Sequence, residues 1–244
     1  MEAIKAKVRG AFVSFKWQRD QRYHRTYELP PKTSLLGLVG AALGLEEEEV
    51  YLRWEWGNSH LPLADRVKVA VLLDNIKGKV KDTWTTIKDV PEHKKFGERA
   101  PIVREQLFQP SYIIYIQSED STLSEQVKNR LESPRFPLSL GRDDELIRSE
   151  SVIPVQLKKA EPPILLYGIL LPFDISKLKW KPTLEGILKP HLVQKLPHRF
   201  EIVDKTRNPR EIGEFTFLTG YKVSIEEPVE AYHDPTENRN VIFL

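Results

Sequence analysis

Residues 30–45 read PPKTSLLGLVGAALGL, and this stretch predicts the start of a buried helix. Thr33 or Ser34 is expected to cap the helix, because a side-chain oxygen at that place accepts a hydrogen bond from a free backbone N–H. The acidic run Glu46–Glu49 is expected to end the helix and to face solvent. The spacing of apolar residues predicts a buried face formed by Leu35, Leu36, Val39, Leu43 and Leu45.

A concentrated positive charge precedes this helix. Residues 3–32 carry eight Lys or Arg and two Asp or Glu, a net charge of +6, whereas the whole chain carries +2. Trp17, Tyr23, His24 and Tyr27 lie among the basic residues. Basic side chains neutralise phosphates and flat rings stack on bases, and free N–H groups at a helix start favour anions. The segment therefore predicts RNA binding, and a solvated charged strand is the alternative.

The elements on either side of the helix predict a fold class. The chain should run strand, helix, strand, projecting hairpin, strand, helix, strand, which is the ferredoxin-like α+β order of RRM-like domains. Gly10, inside the first strand, suggests a bulge or a close backbone approach. A capping box at Thr122 should begin the second helix, with Leu123, Val127 and Leu131 on its apolar face. The predicted strands are Ile4–Phe15, Val67–Leu73, Ser111–Gln117 and Val152–Leu157.

A basic insertion interrupts this order. Asp74–Gly78 is expected to form a hairpin turn that leads into a strand over Lys79–Ile87. Residues 76–104 carry eight basic and four acidic side chains and few apolar ones. We therefore expect a projecting basic hairpin or loop, and we expect its residues Gly78–Glu98 to dock on RNA or a neighbouring subunit rather than on their own core.

The residue pattern of the sequence changes near Pro162 and Pro163. Short alternating runs and proline-rich loops follow, for instance Phe200–Val203 and Glu214–Phe217. The sequence thus predicts two units: residues 1–160, a ferredoxin-like domain with its insertion at about 76–104, and residues 161–244, a smaller β-rich subdomain.

The sequence lacks the motifs of several classes of functional site. The chain has no cysteine, no Walker loop and no dinucleotide fingerprint, and its six histidines lack metal-ligand spacing, so we expect no metal, no cofactor and no small-molecule substrate. The sequence has no run of 18 apolar residues, so we expect no membrane span. We expect a cytoplasmic protein. His24, His93 and Lys94 are the candidates for a metal-independent endoribonuclease. A protein-interaction domain whose basic stretch meets an acidic partner is a third hypothesis.

Four stretches carry a resemblance to a known family: GAFVSFKW (10–17), YELPPKTSLLGLVGAALGL (27–45), RAPIVREQL leading into PSYIIYI (99–116), and PRFPLSLGR (134–142). Together they resemble the CRISPR-associated "Cas five" group of the RAMP superfamily, whose members are subunits of type I Cascade complexes. The resemblance covers about residues 1–157, and its strongest element is the proline-proline-threonine entry to a glycine-bearing helix.

The resemblance implies a role in antiviral defence. It implies a ferredoxin-like domain with a β-hairpin thumb, binding of the repeat-derived 5′ handle of the crRNA, and contacts with the large and backbone subunits. One branch of the family cleaves the crRNA precursor, but no equivalent catalytic set is evident here, so we expect no cleavage. Arg142, next to Gly141, is expected to face the RNA or to pair with Asp143, Asp144 or another carboxylate. The predicted RNA-binding residues are Lys16, Trp17, Arg19, Arg22, Tyr23, His24, Arg25, Lys32, Thr33, Ser34, Arg99, Arg104 and Arg142.

Overall fold

The computed structural model describes residues 1–87, 99–183, 189–204 and 206–244. The helices in these ranges are α1 (Lys32–Leu43), α2 (Glu47–Tyr51), α3 (Leu63–Arg66) and α4 (Ser121–Glu132), with a 3-10 turn over Ile175–Lys177. The strands are β1 (Glu2–Gly10), β2 (Phe12–Val13), β3 (Tyr23–His24), β4 (Lys68–Asn75), β5 (Gly78–Ile87), β6 (Arg99–Phe108), β7 (Ser111–Gln117), β8 (Ile147–Gln156), β9 (Lys158–Lys159), β10 (Ile164–Leu166), β11 (Ile169–Leu171), β12 (Trp180–Pro182), β13 (Leu192–Val203), β14 (Thr206–Leu218), β15 (Val223–Ile225), β16 (Tyr232–Asp234) and β17 (Arg239–Val241).

The fold is mixed α/β, with much sheet and few helices. Its main sheet has seven antiparallel strands in the order β13-β14-β11-β4-β7-β1-β8. The inner strand β7 is buried from Ser111 to Ile116, because helices cover one face of the sheet and C-terminal strands cover the other. A strand that is buried on both faces is a continuous apolar run, which is why the sequence located β4 and β7 well.

The first strand is shorter than the sequence predicts. β1 ends at Gly10, and Phe12–Val13 leaves the main sheet to pair with β6. A Cβ atom at Gly10 would lie 2.6 Å from Cγ2 of Val13, so this position accepts no side chain without a shift. The prediction of one strand over Ile4–Phe15 was wrong, while the close approach predicted at Gly10 is present.

The helix α1 begins and ends differently from the prediction. Its N-cap is Pro31, whose carbonyl accepts from the N–H of Ser34 (3.0 Å), so the predicted cap at Thr33 or Ser34 was wrong. Gly44, with φ of 82°, ends α1 in the left-handed conformation that glycine tolerates. The acidic run does not end α1: it begins α2, where Glu46 and Glu49 form a reciprocal capping box.

The helix α4 is present as predicted, but its cap is not. The Asp120 carboxylate accepts from the N–H groups of Thr122 (2.8 Å) and Leu123 (3.1 Å), so Asp120 replaces the predicted cap Thr122. Leu123, Val127 and Leu131 are buried as expected. No helix in the described ranges is both long and apolar enough to cross a membrane.

The thumb hairpin, β5 and β6, belongs to a separate sheet. β4 pairs with β7 and β11, and β5 pairs with β6, so the predicted hairpin between β4 and β5 was wrong. Both edges of β4 are already occupied, which forces the following strand to pair elsewhere. Leu107 on β6 is fully buried in the core, whereas β5 is largely exposed. Residues 88–98, the outer part of the predicted thumb, lie outside the described residues.

The second half of the chain extends the main sheet. β11 pairs with β4, and the long hairpin β13–β14 follows at the edge. Phe200 and Ile202 on β13 pack against the core beneath α1 and α2. The predicted strands Phe200–Val203 and Glu214–Phe217 are thus parts of much longer strands. Strands from both sides of residue 160 are hydrogen-bonded to each other in the main sheet. The division of the chain into two units at that residue stays a prediction.

Candidate nucleic-acid interface

Strand pairing in the thumb brings distant basic residues together. β3 pairs in parallel with β6, with Tyr23 opposite Val103 and His24 opposite Arg104. β5 pairs with the other edge of β6. Because side chains alternate between the two faces of a sheet, His24 and Arg104 share one face and Tyr23 lies on the other.

A tryptophan is the centre of the face that holds Arg104. The Arg104 guanidinium lies 4.0 Å from the centroid of the Trp84 ring, and that of Arg142 lies 5.4 Å away. Trp84 remains 38% exposed, whereas Arg104 is 5% exposed. Among the described residues, Nε and Nη1 of Arg104 have no hydrogen-bond partner. We call His24, Trp84, Arg104 and Arg142 the thumb face.

The buried carboxylate of Glu145 fixes Arg142 beside the thumb. It accepts from the backbone N–H of Ser14 (2.6 Å), the Ser14 hydroxyl (2.6 Å), Nε2 of Gln106 (3.2 Å) and the N–H of Arg142 (3.2 Å). Nη1 of Arg104 lies 3.7 Å from the same carboxylate. Glu145 therefore joins the loop that carries Arg142 to the base of β6.

Gly141 lets this loop approach β2 closely. Its φ is 105°, and a Cβ atom there would lie 2.3 Å from the carbonyl oxygen of Ser14. The Arg142 side chain also lies 3.6 Å from Asp144. Arg142 thus forms the ion pair that was one of the two expectations, and its contact with RNA stays a prediction.

The charges around His24 favour its neutral form. Its Nε2 lies 3.0 Å from the carbonyl of Gln21. Burial and the positive charges of Lys16 and Arg142 lower the pKa of His24 below its usual value. The other catalytic candidates, His93 and Lys94, lie outside the described residues.

Trp17 and Arg25 contact their own chain. The Arg25 guanidinium donates to both Asp20 oxygens and lies 3.9 Å from the centroid of the Trp17 ring. Trp17 also stacks on Tyr27, at 5.4 Å between centroids, and Tyr27 stacks on Phe217 at 4.5 Å. Arg25 therefore offers a phosphate less free charge than the sequence suggests.

Other predicted residues lie around the thumb face or away from it. Lys32 lies at the start of α1, where burial and the charge of Arg199 lower its pKa. Thr33 and Ser34 line a groove of about 360 Å³ that Gly141 also lines. Tyr23, on the opposite face of the thumb, donates to Glu105. The remaining predicted residues are exposed: Lys16, Arg19, Arg22 and Arg99.

Glu28 connects the base of the thumb to the C-terminal half. Lys79 lies 2.9 Å from its carboxylate, and Lys189 bonds to the same oxygen. Although burial alone would raise the pKa of Glu28, hydrogen bonds from Lys189, Thr219 and Lys79 lower it to about 2.

Acid should weaken this connection in a defined pH window. The unfolded chain takes up the proton near pH 4.5 and the folded chain near pH 2, so the free energy of unfolding should fall as the pH drops through that interval. Glu28→Gln should lower stability at pH 7 and flatten this part of the profile. Urea unfolding of both proteins from pH 2 to 7 measures the difference, and parallel profiles would contradict the account.

Sequence reasoning missed Trp84 and Glu145. Trp84 is an aromatic residue within a basic hairpin, the same pattern that drew attention to Trp17, so a signal was present. Glu145 follows Asp143 and Asp144 and looks like part of a solvated acidic run. Its burial depends on the approach of Ser14, which no local pattern indicates.

A family model described as CRISPR-associated protein (Cas_Cas5) matches residues 3–193. Among solved structures, the chain is similar to a "CRISPR RNA-guided surveillance complex" chain, with a TM-score of 0.55, 15% identity and coverage of 93% of this chain and 91% of that chain. It is also similar to a CRISPR protein from Archaeoglobus fulgidus, with a TM-score of 0.53, 10% identity and coverage of 99% and 98%. At these identities the likeness shows the fold. No curated protein matches the chain.

Proposed function

Because the chain belongs to the CRISPR-associated Cas five family, we propose that it is a non-catalytic, crRNA-binding subunit of a type I CRISPR effector complex. It holds the repeat-derived 5′ handle of the crRNA and contacts the backbone and large subunits, in the cytoplasm. The thumb face supports the proposal: two arginines flank an exposed tryptophan, and the Arg104 guanidinium lies over its ring.

The ferredoxin-like assignment of residues 1–160 is part of this proposal. The four strands β1, β4, β7 and β8 lie in the spatial order β4-β7-β1-β8, and α1 and α4 follow β1 and β7 along the chain. This arrangement is compatible with the β-α-β-β-α-β unit. The thumb then projects from the connection between the second and third strands of that unit.

The thumb face suits single-stranded RNA. Guanidinium groups bond to phosphates and an exposed indole offers a surface on which a base can stack. Exposed Lys16 and Arg22 continue the positive charge beside β3. The RNA would run along the thumb face, and its path would continue in the groove beside Thr33 and Ser34.

A metal-independent endoribonuclease is the alternative function. It is favoured by the lowered pKa of His24, which burial and the charges of Lys16 and Arg142 cause, because a general base and a cation are what such cleavage needs. We assign His24 to RNA contact.

A salt titration of RNA binding tests the phosphate contacts. Arg22→Ala should weaken binding to the repeat RNA and lower the slope of log affinity against log salt by roughly 1. Arg25→Ala should change the slope less, because Asp20 already pairs with that guanidinium. Fluorescence anisotropy across salt concentrations measures both. A slope that neither Arg22→Ala nor Lys16→Ala alters would count against a phosphate path along β3.

A further inference from the structure

A cavity of about 880 Å³ lies at the base of the thumb, away from the thumb face. The end of β4 and the start of β5 form one wall, and the turn at Tyr167–Gly168, the segment Thr219–Lys222 and Arg239 form the others. Its size is within the range of about 300–1,000 Å³ that is usual for small-ligand pockets.

The carboxylates of the cavity are already paired. Glu28 bonds to Lys79 and Lys189. Asp74 lies 2.9 Å from Nζ of Lys7 and Glu237 lies 2.7 Å from Nζ of Lys5. Each negative charge in the wall therefore has at least one lysine partner.

Arg239 is a cation with carbonyl partners. Its guanidinium donates to the carbonyls of Leu73 (2.9 Å) and Tyr167 (2.7 Å), and the residue is 8% exposed. Within the described ranges, no carboxylate forms an ion pair with Arg239, and its Nε has no hydrogen-bond partner. Asp74 and Glu237 act on this guanidinium only at longer range, and a buried guanidinium that forms no direct ion pair favours an anion nearby.

Two aromatic rings lie in the cavity wall near the Arg239 guanidinium. The Arg239 guanidinium lies 4.2 Å from the centroid of the Tyr167 ring, and the Lys222 ammonium lies 5.3 Å from it. Tyr221, a second ring in the wall, bonds to Nδ1 of His191 through its hydroxyl (2.7 Å). Cations beside half-buried tyrosines match a ligand that carries both a phosphate and a flat base.

We infer that this cavity receives one unstacked nucleotide of a bound single-stranded RNA, with its base against Tyr167 and its phosphate at Arg239 and Lys222. The inference rests on the proposed function. Lys79 belongs both to the cavity wall and to β5. An RNA strand that crosses the thumb face can therefore pass around the base of the hairpin and reach the cavity.

The test uses the full chain and repeat RNA that carries 2-aminopurine at one position at a time. Tyr167→Leu should weaken binding about 5- to 150-fold and should change the 2-aminopurine fluorescence of the complex at one position. Tyr167→Phe keeps the ring and should bind like the wild type. Lys222→Gln should lower the salt slope by about 1, while Lys128→Gln, on α4, should leave it unchanged.

The outcomes separate this inference from the proposed function. Wild-type affinity in Tyr167→Leu, with no position-specific fluorescence change, would overturn the cavity site and leave the thumb face intact. Equal slopes for Lys222→Gln and Lys128→Gln would also overturn it. If the wild-type chain binds no RNA, both proposals fail. Thermal melting of each variant verifies that it is folded.

Discussion

Glu145→Ala should destabilise the chain by about 3–5 kcal/mol, because it removes one partner from a buried, charged hydrogen-bond network. The substitution leaves the N–H of Ser14, the amide of Gln106 and the N–H of Arg142 without their acceptor. It also takes away the carboxylate nearest to the buried guanidinium of Arg104. Each buried group that loses its partner pays the cost of desolvation.

Urea unfolding at pH 7 measures this effect. Glu145→Gln is the matched control, since it keeps the shape and one acceptor oxygen and should lose less stability than Glu145→Ala. Asp143→Ala, at an exposed carboxylate of the same loop, should stay within about 0.5 kcal/mol of the wild type. A Glu145→Ala protein as stable as the wild type would show that Glu145 does not hold this loop.

Trp84→Ala should weaken binding to the repeat RNA by about 1–3 kcal/mol, the usual contribution of one stacked base. The ring is exposed and also contacts the guanidinium groups of Arg104 and Arg142, so its loss removes a stacking surface and frees both cations. Trp84→Phe keeps an aromatic face and should lose less.

Arg142→Ala provides the second measurement on the thumb face. It should weaken RNA binding and lower the salt slope by roughly 1, whereas Arg148→Ala, an exposed arginine on β8, should leave both nearly unchanged. Normal RNA binding together with a much lower melting temperature in Arg142→Ala would assign Arg142 to a structural ion pair with Asp144 instead.

The sequence located elements that bury whole runs of residues. β7 was predictable from SYIIYIQ because both of its faces are covered, and α4 because Leu123, Val127 and Leu131 repeat at helical spacing. The helix caps were harder to predict. Pro31 and Asp120 are the N-caps, whereas hydroxyl side chains of nearby residues were predicted to cap both helices. Neighbouring residues satisfy the local rules for capping equally well, so these rules do not select one of them.

Strand partners were not predictable from local patterns. The partner of β5 is β6 rather than β4 because β11, more than 90 residues further along the chain, occupies the free edge of β4. The same limit applies to the candidate site. His24, Arg104 and Arg142 were identified as basic residues of separate segments, but their convergence on Trp84 depends on the parallel pairing of β3 with β6 and on the burial of Glu145.

Incubation of the purified chain with its own repeat RNA in EDTA tests the central claim most directly. We predict specific binding that weakens steeply with salt, and RNA that stays intact over hours, because the chain holds the handle and does not cut it. A discrete cut at one position, lost in His24→Ala or His93→Ala, would contradict the non-catalytic role. Absence of salt-sensitive binding to the repeat RNA would contradict RNA recognition itself.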